Sequence, residues 1–362
     1  MTEGAEGLAK GVFIEPEIRL AMRNHGMPLE ALCYDLTPPG LHYLLTHFDI
    51  PAVDADTWTL EVAGLVDHPL TLSIADLREL PQEERTITME CAGNGRSALD
   101  QRPVSQPWVL EAIGTSRWAG VPVSALLERA GVKEGAIEVV FSALDQGIDG
   151  GVEQHFERSL PLELAESTEP IVAISMNGGP VPPQHGFPAR LVVPGWYGMT
   201  NVKWLSRITA VDTPFQGYQQ AVAYRVRHTP EEQGEAITRM LPRALMVPPG
   251  IPDFPSRHRT VVGPCTLTGR AWSGWGAIER VDVSTDGGRR WQPATLDQST
   301  SDGEARWCSW SYLWQMPEPG EHVLMARARD AAGNEQPDLP DWNAGGYLNN
   351  AVQRVPVTVR RT

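Results

Sequence analysis

The sequence predicts an α+β protein in two parts: a mixed α/β domain over residues 1–235, then an immunoglobulin-like β-sandwich over residues 236–362. Three observations predict it. The 362 residues include 34 glycines and 31 prolines, a density of backbone punctuators that suits strands joined by turns and argues against a helix bundle. In the first part strand patterns mix with short helices, without the regular strand–helix–strand alternation of a doubly wound sheet. Beyond Pro255 only strand patterns remain, at the close spacing of a sandwich.

Residues 1–55 read as an irregular opening segment with one helical stretch at Glu17–Arg23. From Trp58 the chain alternates: Trp58, Leu60 and Val62 share a face, Thr59 and Glu61 take the other, and Gly64 stops this half-buried strand. Ser73-Ile-Ala-Asp76 has the form of a capping box, in which hydroxyl and carboxylate satisfy each other's backbone N–H groups, ahead of a short helix ending by Pro81. Thr86–Cys91 alternates again, with Ile87, Met89 and Cys91 on one face, which places Cys91 at the mouth of a strand. Val121–Ala130 predicts a helix closed by Gly131. Ile137–Phe141, Ile171–Met176 and Val202–Val211 predict strands, and Asn177-Gly178 a tight turn. Thr229–Pro255, with six prolines including Pro230, reads as a connector. Strands follow at Cys265–Trp272, Arg280–Thr285, Trp307–Trp314, His322–Arg329 and Val352–Val359. Seven of the 12 tryptophans lie beyond residue 270, where a sandwich uses them in its core and interfaces.

Thirty Lys+Arg against 45 Asp+Glu give a formal net charge of −15. That argues against a nucleic-acid binder, whose footprint is basic. A small anion remains a feasible substrate only through a local basic pocket. Cys33, Cys91, Cys265 and Cys308 form no C-x-x-C, so a zinc ribbon or thioredoxin-like motif is excluded. No apolar run approaches the roughly 18 residues of a membrane span. The start, MTEGAEGLAK, lacks a basic then apolar leader, so a cytoplasmic address is expected, or a periplasmic one if an export signal was removed.

Glu90-Cys-Ala-Gly-Asn-Gly-Arg-Ser97 carries the sharpest chemistry. A thiolate is the soft ligand a redox metal wants, and the glycines allow close backbone approach to a bulky ligand. Arg96 brings a fixed charge that lowers the thiol's pKa. A buried structural cysteine beside a glycine turn is the plainer alternative. His185-Gly-Phe-Pro-Ala-Arg190 is a punctuated loop whose Arg can grip a phosphate through two parallel N–H bonds, or be a turn with a solvated Arg. Ser284-Thr-Asp-Gly-Gly-Arg-Arg-Trp291 fits the Asp-box of sialidase propellers, but a propeller needs several copies and one is present. A hairpin turn with Trp291 packed beneath it is the preferred reading.

The Cys-Ala-Gly-Asn segment resembles the molybdenum-binding loop of the sulfite oxidase family. Further blocks resemble that family in the right order: Ile50–Asp54, Trp108, Ala112–Gly120, Asn177-Gly178, His185–Arg190, Val202–Trp204, Ala271–Gly274 and Val281–Gly288. The resemblance implies a molybdenum–molybdopterin domain followed by a dimerisation domain. It implies Cys91 as the molybdenum ligand, Arg96 as anion anchor, Tyr224 as hydrogen-bond donor at the reacting centre and Trp108 as a wall of the substrate pocket. It implies pterin contacts at His47, Asp145, His185, Arg190, Asn201, Val202 and Lys203. A core or interface tyrosine is the alternative for Tyr224.

Two departures stand out. Leu45-Thr46-His47 stands where Arg-Asn-His is expected, and Gly345 occupies an arginine position in Trp342-Asn-Ala-Gly-Gly346. The run from Trp342 to Asn350 is more similar to bacterial sulfite dehydrogenases and the related sulfane dehydrogenase subunits. The implied activity is oxidation of sulfite to sulfate by oxygen-atom transfer. With no haem motif or flavin domain evident, electrons pass to a separate acceptor such as a cytochrome, and a homodimer is implied. Alternatives are a sulfoxide or nitrate reductase or sulfane dehydrogenase built on the same centre, or a non-catalytic β-sandwich binding protein.

Overall fold

The computed structural model describes residues 7–361 except 168, 230, 298–304 and 316. The first six residues, on which the leader reading rests, and Pro230 lie outside the described residues. Through the first domain run α1 (Glu15–Arg23), β1 (Thr59–Gly64), β2 (Leu70–Ser73), α2 (Ile74–Glu79), β3 (Glu83–Glu90), β4 (Ile113–Pro122), α3 (Val123–Ala130), β5 (Glu138–Asp149), β6 (Val152–Pro161), α4 (Leu162–Ala165), β7 (Ile171–Met176), β8 (Gly179–Pro180), β9 (Arg190–Val192) and β10 (Leu205–Val211). One sheet has the order β2-β1-β10-β5-β6, with β1 and β10 parallel and the other pairs antiparallel. The other is antiparallel, β3-β4-β7-β8, with β9 also paired to β7. Both contribute to one core: Leu60, Val62, Phe141 and Ile208 from the first, Ile113, Val121, Val172 and Leu191 from the second. The Ser73–Asp76 capping box is present in both directions, and Gly131 closes α3 at φ +70°.

The second half continues with β11 (Arg225–Val226), β12 (Glu235–Ala236), β13 (Arg243–Met246), β14 (Ile251–Pro252), β15 (Arg259–Val262), β16 (Cys265–Trp272), β17 (Ile278–Ser284), β18 (Gln292–Pro293), β19 (Thr295–Asp297), β20 (Cys308–Trp314), β21 (Gly320–Asp330) and β22 (Gln353–Arg360). Sheets of order β13-β16-β20-β19 and β14-β15-β22-β21-β17-β18 close on a shared core, with Leu267 and Trp310 on one side and Val283, Leu324 and Val357 on the other. The Asp-box stretch is the hairpin turn after β17. Asp286 Oδ1 accepts from the N–H groups of Arg289 and Arg290, and the Trp291 indole donates to Gly288 O.

Several expectations are corrected. The strand expected from Val202 starts at Leu205, because the backbone turns at Trp204 (φ +48°) and leaves Val202 in a loop. The proline-rich connector contains β13, a wholly buried core strand. The whole of β4, central in its sheet, escaped the pattern reading because Gly114 and Gly120 interrupt its apolar run. Their cause is long-range: a Cβ on Gly120 would lie 2.0 Å from Val172 O, and one on Gly114 would lie 2.4 Å from the His42 ring. The β6 edge strand also went unread, since its outward face is polar.

Candidate active site

Cys91 follows the last residue of β3, on the side facing β4: its N–H donates to Ala112 O at 2.9 Å. The chain then reverses, with Asn94 N–H on Cys91 O at 2.9 Å and Gly95 at φ +88°. Asn94 braces the turn, donating to Glu90 Oε1 (3.0 Å) and accepting from Ala112 N–H (3.1 Å). Glu90 is itself fully buried. It pairs with Arg243 Nε at 2.7 Å and accepts from the Trp272 indole at 2.9 Å, so the reactive loop is tied to β13 and β16 of the second half. Burial pushes the Cys91 thiol up. The Arg96 charge, the Gly93 N–H and the Trp108 indole oppose it.

A cleft opens beside Cys91. Of the residues predicted for the site, Cys91, His47, Asp145, His185, Arg190, Asn201, Lys203 and Tyr224 line it. Arg96, Trp108 and Val202 do not. The Arg96 guanidinium sits against Gly93, where a Cβ would lie 2.6 Å from its Nη2. Trp108 is buried edge-on to Tyr43, its ring 6.4 Å away. The Val202 side chain is wholly buried in the core, and only its backbone serves the loop, accepting from Leu191 N–H at 2.8 Å. Asn201 is committed as well: its Oδ1 accepts from Val193 N–H at 2.7 Å, and its carbonyl takes the Arg190 Nη2 bond at 2.8 Å.

The floor of the cleft is cationic. Lys203 Nζ donates to Leu45 O (2.9 Å) and Gln184 O (3.2 Å), so one N–H of its ammonium is left over. Burial and then the Arg190 charge pull Lys203 down to about 7, while Asp145 acts the other way. Burial raises Asp145 to about 6, against the pull of Lys203. Burial lowers Arg190 to about 10, and its guanidinium lies 4.9 Å over the Trp118 ring. His185 Nε2 lies 3.3 Å from Pro39 O, and burial, with the charges around it, holds this ring neutral with a pKa of about 2.

Opposite the cations, Tyr224 Oη lies 2.5 Å from His47 Nε2. Burial and then Lys203 push His47 down to about 3, and burial raises the Tyr224 phenol well above its ordinary value. The imidazole is therefore the acceptor and the phenol the donor, with the ring's own proton on Nδ1. Tyr347 packs on Tyr224, its ring centroid 5.4 Å away. Pattern reading missed His42, Tyr43 and Phe156, which line the cleft, and Tyr347, which reaches it only through Tyr224. Tyr347 alone had a local signal, standing two residues past Gly345 in the stretch that departs from the family pattern.

The donor set fits a metal held by one soft thiolate inside an anionic organic cofactor. Arg190 Nε and His42 Nε2 are buried without a hydrogen-bond partner among the described residues, beside the cationic floor. Fold and site together define a molybdopterin-dependent oxidoreductase. Residues 47–219 match the oxidoreductase molybdopterin binding domain, and residues 250–360 match the Mo-co oxidoreductase dimerisation domain. The chain is 36% identical over 342 residues to mitochondrial sulfite oxidase of Homo sapiens, covering 90% of this chain and 62% of that protein. It is 34% identical over 367 residues to the NADH nitrate reductase of Solanum lycopersicum, covering 93% and 40%. The sulfane dehydrogenase SoxCD from Paracoccus pantotrophus superposes with a TM-score of 0.78 at 26% identity, covering 99% of this chain and 95% of that one. The chain thus spans less than two thirds of the length of these sulfite oxidase and nitrate reductase relatives. It belongs to the sulfite oxidase family.

Proposed function

We propose that the chain oxidises sulfite to sulfate. The oxygen comes from water, two protons are released, and two electrons leave for a separate acceptor of the cytochrome type. The observation that supports this best is a cleft lined by the buried Cys91 thiol and by Tyr224, whose hydroxyl is held by His47, with the Arg96 charge acting on the thiol. The cofactor, when bound, supplies the two-electron oxygen-atom transfer. Cys91 would hold its metal. His185, Arg190 and Lys203 would hold its phosphate, and His47, Asp145 and the backbone at Asn201–Lys203 its pterin. Arg96 holds the anion: three of its N–H groups are taken, and Nη2 makes no hydrogen bond among the described residues. A desolvated cation there binds a sulfur oxyanion and offsets its charge as it reacts. Tyr224 lines the cleft beside Cys91, its one hydroxyl proton committed to His47.

A second reading has its own support. Leu45 lines the cleft where the family resemblance places an arginine, which lowers the positive charge available to a dianion and favours a sulfane-type or otherwise less charged sulfur substrate. The match over residues 250–360 supports a homodimer, tested by light scattering at micromolar concentration. The deciding assay gives molybdenum-loaded protein sulfite and an artificial one-electron acceptor. Acceptor reduction with matching sulfate is expected, and Arg96→Gln should lower kcat/KM roughly ten- to a hundredfold. Absence of acceptor reduction with sulfite removes sulfite as the substrate, and an Arg96→Gln variant within twofold of wild type at full molybdenum content removes Arg96 as the anion anchor.

A further inference from the structure

Arg96 is 4% exposed, and its guanidinium is held from several sides. Nε donates to Gly345 O at 3.2 Å, and Nη1 donates to Ser105 Oγ at 3.1 Å and Gln106 O at 3.0 Å. Its Cζ also lies 5.0 Å from the centroid of the Tyr347 ring. That ring is in turn packed on Tyr224. Gly346, at φ +60°, has no side chain to intrude: a Cβ there would lie 2.9 Å from Arg96 Cγ. The segment 345–347 therefore gives Arg96 a carbonyl, a gap and an aromatic face.

From this geometry we infer that Tyr347 is a positioning residue for anion recognition. Its ring face aims the Nη2 side of Arg96 and sets the affinity of the site for a small tetrahedral or pyramidal oxyanion with a single guanidinium. The inference rests on the proposed anion chemistry of this site. Tyr347 acts through Arg96, by the attraction of a cation to an aromatic face and by filling the space into which the guanidinium would otherwise swing. Its hydroxyl is not part of the grip.

The test titrates the holoenzyme with sulfate, which needs no turnover, and measures steady-state kinetics with sulfite in parallel. Tyr347→Leu removes the face and should raise the sulfate Kd and the sulfite KM about fivefold, with kcat within about twofold of wild type. Tyr347→Phe keeps the face and should restore both to within about twofold. Equal weakening in the Leu and Phe variants overturns the inference, because the hydroxyl would then be the contact. Unchanged sulfate affinity in both also overturns it. Should the leucine variant not fold, Gly346→Ala presses on Arg96 from the other side, and an unaltered sulfate Kd there overturns it too. If the wild type fails to oxidise sulfite but its sulfate affinity responds as stated, the proposed substrate is wrong and the role of Tyr347 stands. If sulfite is oxidised and sulfate affinity is indifferent to residue 347, the reverse holds.

Discussion

The Tyr224 hydroxyl donates to His47 Nε2 across 2.5 Å, joining two residues 177 positions apart at the wall of one cleft. Burial keeps the imidazole neutral and the phenol protonated, so the bond has a fixed direction. A hydrogen bond of this kind contributes about 0.5–1.5 kcal/mol, so Tyr224→Phe and His47→Ala should each lower kcat/KM by up to about tenfold. Because they act as one unit, the double variant should be no worse than the poorer single one. A double-mutant cycle on kcat/KM checks this, and multiplied losses mean the two act separately.

Cys91→Ser should leave the fold intact and end turnover, because an alkoxide is a harder and more basic donor than a thiolate. Circular dichroism, metal content and turnover are measured together. Wild-type turnover in the serine variant refutes the role given to Cys91.

Arg243→Leu strands the Glu90 carboxylate in a dry interior with only the Asn94 and Trp272 donors. Removing one partner of a buried ion pair costs about 3–5 kcal/mol, which chemical denaturation of the variant should show. Adding Glu90→Gln should recover part of that loss, since the stranded charge is then gone. A denaturation midpoint equal to wild type would mean that the pair does not join the halves.

Lys203 titrates near 7 in the folded chain, against 10.5 ordinarily. Its folded pKa is depressed, so between these values the unfolded chain binds a proton that the folded chain does not. Stability of the cofactor-free protein should therefore gain from this group as pH rises through that window. Below about 7 both states carry the proton and the folded state bears the full cost of burying it. Lys203→Met should flatten the rise between pH 7 and 9 in denaturation experiments. An identical slope in wild type and variant rules out Lys203 as its source.

What the sequence makes legible depends on how local the cause is. β3 and the Cys91 loop were readable because alternation, a cysteine and two glycines fall within a dozen residues. The capping box at Ser73 was readable for the same reason. The central strand β4 was not, because its glycines answer to Val172 and His42 rather than to their neighbours. β13 was hidden by flanking prolines, although all four of its residues are buried. At the site, His47 and Tyr224 were each identified from motif resemblance, but their bond spans most of the first domain and leaves no pattern along the chain. Arg96 was identified too, while its restraint by Gly345, Gly346 and Tyr347 depends on a segment about 250 residues away.

That last separation has a consequence for the order of events during synthesis. Asn349 donates to Gly95 O, Leu348 N–H to Ala92 O, and Gly345 O accepts from Arg96, so the thiol loop is fastened by a stretch made 249 to 256 residues later. Until that stretch leaves the ribosome and folds back, the loop lacks these fastenings. Loading of the prosthetic group into its finished seat is thereby a late event, and a half-translated chain offers only a loosely held thiol.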